Sequence, residues 1–226
     1  QRGGRQFSAQ ERVKSMTPGP TIVLKCSACG GQIAQPTIGS GNTFGARFWT
    51  DGKREAPMLP DDLWLVTCPH CGALVWIDEL EQVGEMEPWE AGDENPAQFP
   101  DARSYETPTM RDYLTTLEMG VSGTEKEYYL RLRAWWAGND QRRYGMEAAP
   151  MSSVETDNLR AYALLLDGTE ENDRLMKAEA MRELGLFEEA KALLTEPFSD
   201  EVSHAVAMIR ELTEKRITAV REMDFG

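Results

Sequence analysis

The sequence predicts an α+β protein: a small metal-stapled β module on the N-terminal side, followed by an all-α domain. Three observations lead there. The chain's four cysteines fall in two Cys-x-x-Cys pairs, Cys26/Cys29 and Cys68/Cys71. Short apolar runs separated by Gly and Pro surround those pairs, and they carry strand rather than helix signals. After Pro108 the pattern changes to helical periodicity with recurrent capping residues. The resulting division is a tail over 1–20, a β domain over 21–83, an acidic linker over 84–108 and a helical domain over 109–226. At 226 residues the chain has room for two modest domains.

In the tail, Gln1-Arg2-Gly3-Gly4-Arg5 and Thr17-Pro18-Gly19-Pro20 bracket a polar run with little to bury. Met16 is a natural start, which would make the residues ahead of it vector-derived or misassigned. Thr21 to Lys25 reads as a strand entering the first cysteine pair. Phe44 to Thr50 reads as another, and Asp51-Gly52 as a tight hairpin turn whose two central residues both take positive φ. Leu63 to Thr67 enters the second pair and Ala73 to Ile77 leaves it. Phe44, Phe48, Trp49, Trp64 and Trp76 are the expected core of this module. Gly39-Ser40-Gly41-Asn42 lacks the Lys-Ser/Thr of a phosphate loop and reads as a plain loop.

Residues 78–102 contain no Lys or Arg and hold eight acidic side chains between Asp78 and Glu94. Pro88, Gly92, Pro96 and Pro100 mark a linker, with one helical turn expected over 78–83. Trp89 and Phe99 are unusual in a free linker and suggest that it docks. Thr109 is the expected cap of a helix running to Met119 and ended by Gly120. Thr124 with Glu127 forms a capping pattern ahead of Tyr128, Leu132, Trp135 and Trp136, which share one helical face. Ser152 with Glu155 repeats that pattern before Leu159, Tyr162, Ala163 and Leu166. Met176, Ala180 and Leu184 make the next stripe, stopped by Gly185. Leu186, Ala190, Leu193 and Leu194 follow, up to Pro197. Ser199 is the expected cap of a last helix carrying Val202, Val206, Ile209 and Leu212. About six helices result.

Four thiolates at doubled two-residue spacing point to one tetrahedral metal site on Cys26, Cys29, Cys68 and Cys71. Gly30 and Gly72 suit the tight turns that aim N–H groups at the sulfurs. With all four positions filled by cysteine no position remains for a catalytic water, so the metal is read as structural. The segments around the cysteines, residues 22–77, resemble the zinc-ribbon families, and Cys68-Pro69-His70-Cys71-Gly72 also resembles rubredoxins. The first resemblance implies structural Zn²⁺; the second implies iron and electron transfer, although residues 30–67 make a longer insert than a plain rubredoxin has. Zn²⁺ is the expected ion and Fe the alternative. His70 is expected to point outward, and His204 to be ordinary helix surface.

Ala178, Gly185, Phe187, Ala190 and Leu194, within about residues 171–196, resemble one tetratricopeptide-type helix pair, clipped at Pro197. That resemblance implies a helical stack with a protein-binding face. Taken whole, the chain resembles bacterial proteins that join an N-terminal zinc ribbon to a C-terminal tetratricopeptide-like region, and that likeness brings no activity with it. Lys126, Arg131, Arg133, Arg142 and Arg143 interleave with aromatics as single-stranded nucleic-acid sites do. Helical spacing favours a core-facing aromatic stripe with a basic edge instead, and that edge could dock the acidic segment 78–94. A formal net charge of −14 counts against nucleic acid as the main partner. No catalytic constellation, cofactor-binding motif, secretory signal or apolar run of membrane-spanning length is present. The expectation is a cytoplasmic, non-enzymatic adaptor with a protein partner.

Overall fold

The computed structural model describes residues 16–88, 98–121, 124–143 and 150–224. In chain order the strands are β1 (Thr17–Lys25), β2 (Gln32–Ser40), β3 (Arg47–Trp49), β4 (Arg54–Glu55), β5 (Leu65–Thr67), β6 (Leu74–Trp76), β7 (Glu81–Met86), β8 (Arg103–Ser104) and β9 (Glu222–Met223). The helices are α1 (Met110–Glu118), α2 (Thr124–Arg143), α3 (Ser153–Leu165), α4 (Glu171–Glu183), α5 (Phe187–Leu193) and α6 (Ser203–Glu214). The chain forms two units. The first holds residues up to Ala46 and Glu55–Pro108; the second holds Arg47–Arg54 and everything from Thr109. Small sheets at the N-terminal side and six described helices after them make this an α+β protein.

In the first unit β1 is central. It pairs antiparallel with β2 on one side and β7 on the other, while β8 joins β2 in parallel. Both faces of β1 are covered, which explains its unbroken Ile22-Val23-Leu24 run. Val23 packs with Ala34, Met86 and Phe99. Leu24 packs on the other face with Ile33, Leu63, Val66, Val75 and the sulfurs of Cys26 and Cys68. The core is therefore aliphatic, not the aromatic one expected: Phe44 and Trp64 are 60% and 46% exposed, and Trp49 is buried in the other unit.

The acidic stretch is not a linker from residue 84. After a 3-10 turn at Ile77–Glu79, β7 lies along β1, with its glutamates facing solvent and Met86 buried. Phe99 returns to cover the backbone of Gly84; a Cβ there would sit 2.0 Å from the ring. Trp89 and residues 1–15 lie outside the described residues. Residues 17–20, read from sequence as tail, begin β1. The register of the β1–β2 pairing shifts on either side of Pro18, where a strand lacks its N–H donors.

The second unit is helical and carries one β-hairpin. Thr109 and Asp112 form a reciprocal capping box on α1, and Ser152 and Glu155 do the same on α3. The expected Thr124 cap rests on a side chain outside the described residues. Ser199 precedes a 3-10 turn at Asp200–Val202 that leads into α6, but its side chain makes no capping bond there. Its hydroxyl and N–H instead donate to Glu171 at 2.6 and 2.7 Å, tying the start of α4 to the α5–α6 connection. Tyr128, Leu132 and Trp135 of α2 pack on Leu159, Tyr162 and Ala163 of α3, on Leu166 just after it and on Ala180 of α4. Ala178, Leu194, Val206 and Ile209 form the second helical cluster.

The Asp51-Gly52 turn differs from its expectation. Only Gly52 has positive φ, at 78°, and its N–H donates to the Trp49 carbonyl at 2.9 Å. That is a three-residue hairpin ending in a left-handed glycine, so Asp51 keeps ordinary backbone angles and turns its carboxylate inward. Asp51 is fully buried and takes both terminal nitrogens of Arg143 on α2, at 3.0 Å for one of them. Asn139 donates to it at 2.9 Å, and the Trp136 indole donates to its carbonyl at 2.8 Å. Trp136 thus leaves the aromatic stripe assigned to it from sequence and serves the hairpin. On the far edge, β9 pairs with β3. Arg182 draws this C-terminal stretch in by donating to the carbonyls of Ile217 and Ala219, at 3.1 Å for the latter.

Removing one partner of a buried ion pair leaves an uncompensated charge and costs about 3–5 kcal/mol. Asp51→Ala should therefore destabilise the helical unit by about that amount in urea unfolding, and Asp51→Ala with Arg143→Met should recover part of the loss. A loss within about 0.5 kcal/mol, typical of surface changes, would contradict the assignment.

Candidate metal centre

Two loops of the first unit build the site, and they are near copies. Cys26 follows β1 and Gly31 precedes β2; Cys68 follows β5 and Ala73 precedes β6. In each loop the N–H of the first cysteine bonds the carbonyl five residues on: Cys26 to Gly31 at 2.9 Å and Cys68 to Ala73 at 2.8 Å. In each, the glycine four residues on donates back to the first cysteine's carbonyl at 2.9 Å. Closing so small a loop needs a left-handed residue, and Gly30 and Gly72 supply it with φ of 75° and 72°. The glycine N–H groups therefore serve the loops, not the sulfurs. The sulfurs receive other donors: Ala28 and Cys29 on Cys26, His70 and Cys71 on Cys68, Ala73 on Cys71, and Gly31 on Cys29 at 3.4 Å.

The four Sγ atoms lie within 4.8 Å of one another. Cys26 and Cys71 are 3.9 Å apart, as are Cys29 and Cys68, and all four cysteines are free. A tetrahedron of Zn–S bonds of about 2.3 Å has S···S edges of about 3.8 Å. The residues thus fit one tetrahedral, thiophilic ion. Cys26 and Cys68 are buried among Leu24, Ile33, Val66 and Val75, while Cys29 and Cys71 are exposed. The centre is seated on the aliphatic core with its outer edge in water.

Proton affinities within the set diverge. Burial disfavours the Cys26 thiolate, yet the N–H groups of Cys29 and Ala28 and the neighbouring sulfurs bring its pKa down to about 7. At Cys71 the Ala73 N–H favours the thiolate. The crowd of sulfurs and desolvation outweigh it, and the pKa is pushed up to about 12. One thiolate forms readily and its presence resists the next, so a cation must enter for all four to ionise.

His70 points away from the sulfurs. Its Nε2 lies 2.8 Å from the carbonyl of Gln32, and its ring packs on Gly31, where a Cβ would come within 2.6 Å. It braces one loop against the other. His204 is exposed on α6, in the other unit. Four of the basic residues of α2 have partners within the helical unit. Arg131 pairs with Glu127 at 2.8 Å, Arg142 with Glu155 at 2.7 Å and Arg143 with Asp51, while Arg133 lies over Tyr129 and Trp136.

Sequence reasoning missed the buried polar group formed by Asp51, Asn139, Glu179, Arg182 and Glu183 in the helical unit. No helix among the described residues is long and apolar enough to cross a membrane. No protein-family model, curated protein or solved structure matches the chain.

A Cβ at Gly30 or Gly72 meets nothing within 4 Å, so substitution there changes the backbone alone. Gly72→Ala should lower the stability of the metal-loaded first unit by about 1–2 kcal/mol, read from its denaturant midpoint, the cost of a left-handed residue with a side chain. An unchanged midpoint would mean that the loop does not need this conformation.

Proposed function

We propose that the protein is a non-enzymatic adaptor of a reducing, cytoplasmic compartment, in which structural Zn²⁺ on Cys26, Cys29, Cys68 and Cys71 holds the β unit in shape for protein binding. The observation that carries this reading is the closed thiolate set. Four sulfurs at tetrahedral spacing leave no coordination position for a water or substrate, the open position a catalytic zinc keeps. Structural zinc contributes on the order of 10–16 kcal/mol of apparent binding free energy near neutral pH. Strands as short as β5 and β6, three residues each, gain their order from such a staple. On the same unit Phe44 and Trp64 present large apolar surface to solvent, the residue types that anchor protein interfaces.

The second reading, iron in the same site and electron transfer, draws on the N–H donors aimed at the sulfurs, which also tune iron centres. A nucleic-acid role has less support, because Arg131, Arg142 and Arg143 are committed to carboxylates.

Metal analysis of the purified protein should find one zinc per chain in a colourless sample. Chelation should abolish cooperative unfolding of the β unit while the helical circular-dichroism signal persists. A red sample with visible charge-transfer bands would favour the electron carrier and overturn the zinc reading. For the adaptor role, Phe44→Ser with Trp64→Ser should lose co-purifying protein partners without losing zinc; a partner retained by the double variant would move the interface elsewhere.

A further inference from the structure

The main sheet of the first unit is incomplete on one side, away from the thiolate site. β8 follows β2 in parallel only at Ile33 with Arg103 and Ala34 with Ser104. The chain then turns off, and Glu106 ties it to Thr67 through both backbone groups, at 3.0 and 3.1 Å. β2 continues to Ser40 with β1 on one side and, among the described residues, no strand on the other. Pro36 lies in this uncovered stretch, as prolines in sheets do at edges. Where the two strands part, a groove of about 470 Å³ opens, within the roughly 300–1,000 Å³ of ligand sites.

The lining divides into an apolar floor and an acidic outer edge. Thr21, Ala34 and Met86 line the groove and are buried, while Pro36 and Ile38 come from β2 and Tyr105 from the strand that leaves it. The Thr37 hydroxyl is spent on the Pro20 carbonyl at 2.6 Å. Asp61 and Asp62, from the β4–β5 connection, also line the groove and are exposed, so a guest lying in it can reach both carboxylates. The described residues of this unit hold two Lys or Arg side chains, Lys25 and Arg103, and neither lines the groove.

We propose that this groove takes an extended peptide of a partner protein, laid along the free edge of β2, with apolar side chains on the floor and Lys or Arg against Asp61 and Asp62. An uncovered strand edge is what an added strand pairs with; main-chain bonds supply affinity and the side-chain subsites supply selectivity. Successive side chains of a strand point to opposite faces. A guest of alternating apolar and basic residues therefore meets the buried floor and the exposed aspartates together. A guest carrying acids would set carboxylate against carboxylate. The inference rests on the adaptor reading of the β unit and adds to it a class of partner. Its surface is a different one, since neither Phe44 nor Trp64 is among the lining residues.

The test uses the full-length, metal-loaded chain and two fluorescein-labelled peptides with capped ends, Val-Lys-Val-Lys-Val and Val-Glu-Val-Glu-Val. Anisotropy should saturate with the lysine peptide and stay flat with the glutamate peptide. In the isotope-labelled chain, the backbone amide resonances of Thr37, Ile38, Ser104 and Tyr105 should move as the lysine peptide binds. Asp61→Asn with Asp62→Asn should weaken that peptide about fivefold, the weight of two exposed ion pairs, and high salt should do the same to the unaltered chain. Ser104→Trp, at an exposed lining position, should fill the groove and abolish binding while the four cysteines keep their metal. No saturation by the lysine peptide, or equal affinity for the two peptides, overturns the proposal. Shifts at Phe44 and Trp64 in place of the groove residues overturn it too, and move the peptide to the aromatic surface. Groove-residue shifts on concentrating the chain without peptide would assign the groove to a second copy, against the proposal. None of these outcomes touches the zinc reading, and the Phe44 and Trp64 variants test the adaptor reading on their own.

Discussion

Four sulfurs within 4.8 Å of one another cannot all be thiolates unless a cation sits among them. The rest of the first unit follows from that constraint. The two loops that carry the sulfurs repeat one hydrogen-bond pattern because both must present a pair of side chains to a single point. β1, β2, β5 and β6 start or stop at those loops, so an ion held there would fix where two antiparallel pairs begin. Cys26 and Cys68 belong to the same buried cluster as Ile33 and Val66, so a metal on these sulfurs would extend a small core.

A different constraint organises the helical unit. The hairpin at residues 47–54 leaves the chain segment that forms the β unit and belongs to the helices. Asp51 at its tip is the acceptor for Arg143, Asn139 and, through its carbonyl, Trp136. One turn residue therefore anchors the hairpin to α2. Burial of Glu183, with Glu179 and then Asp51 adding to it, raises the proton affinity of that neighbouring acid.

Legibility in sequence tracked locality. The thiolate site was readable because ligand spacing within each pair is set by the ion, and all four cysteines converge. The Thr109 and Ser152 caps were readable because partner and cap are three residues apart. Ala178, Phe187, Ala190 and Leu194, matched from sequence to a tetratricopeptide-type helix pair, are buried. Pairings over long separations were not readable. The acidic run with its Pro and Gly reads as a helical turn over 78–83 and a linker from 84, and only the ladder of β7 with β1, which no local pattern encodes, makes 81–86 a strand. Asp51 was taken for a turn residue because Asp-Gly is the common turn dipeptide, whereas its partner Arg143 is 92 residues away. Glu183 carried no sequence signal: an acid in an ordinary helical run becomes chemically distinct only when Glu179, Asp51 and burial act on it together.

The central claim is that a single ion is held by four cysteine sulfurs and nothing else. X-ray absorption at the metal edge of the purified protein tests it most directly. The account predicts a first shell of four sulfurs at about 2.3 Å with no lighter scatterer. A shell mixing sulfur with oxygen or nitrogen would open a coordination position and contradict the structural reading.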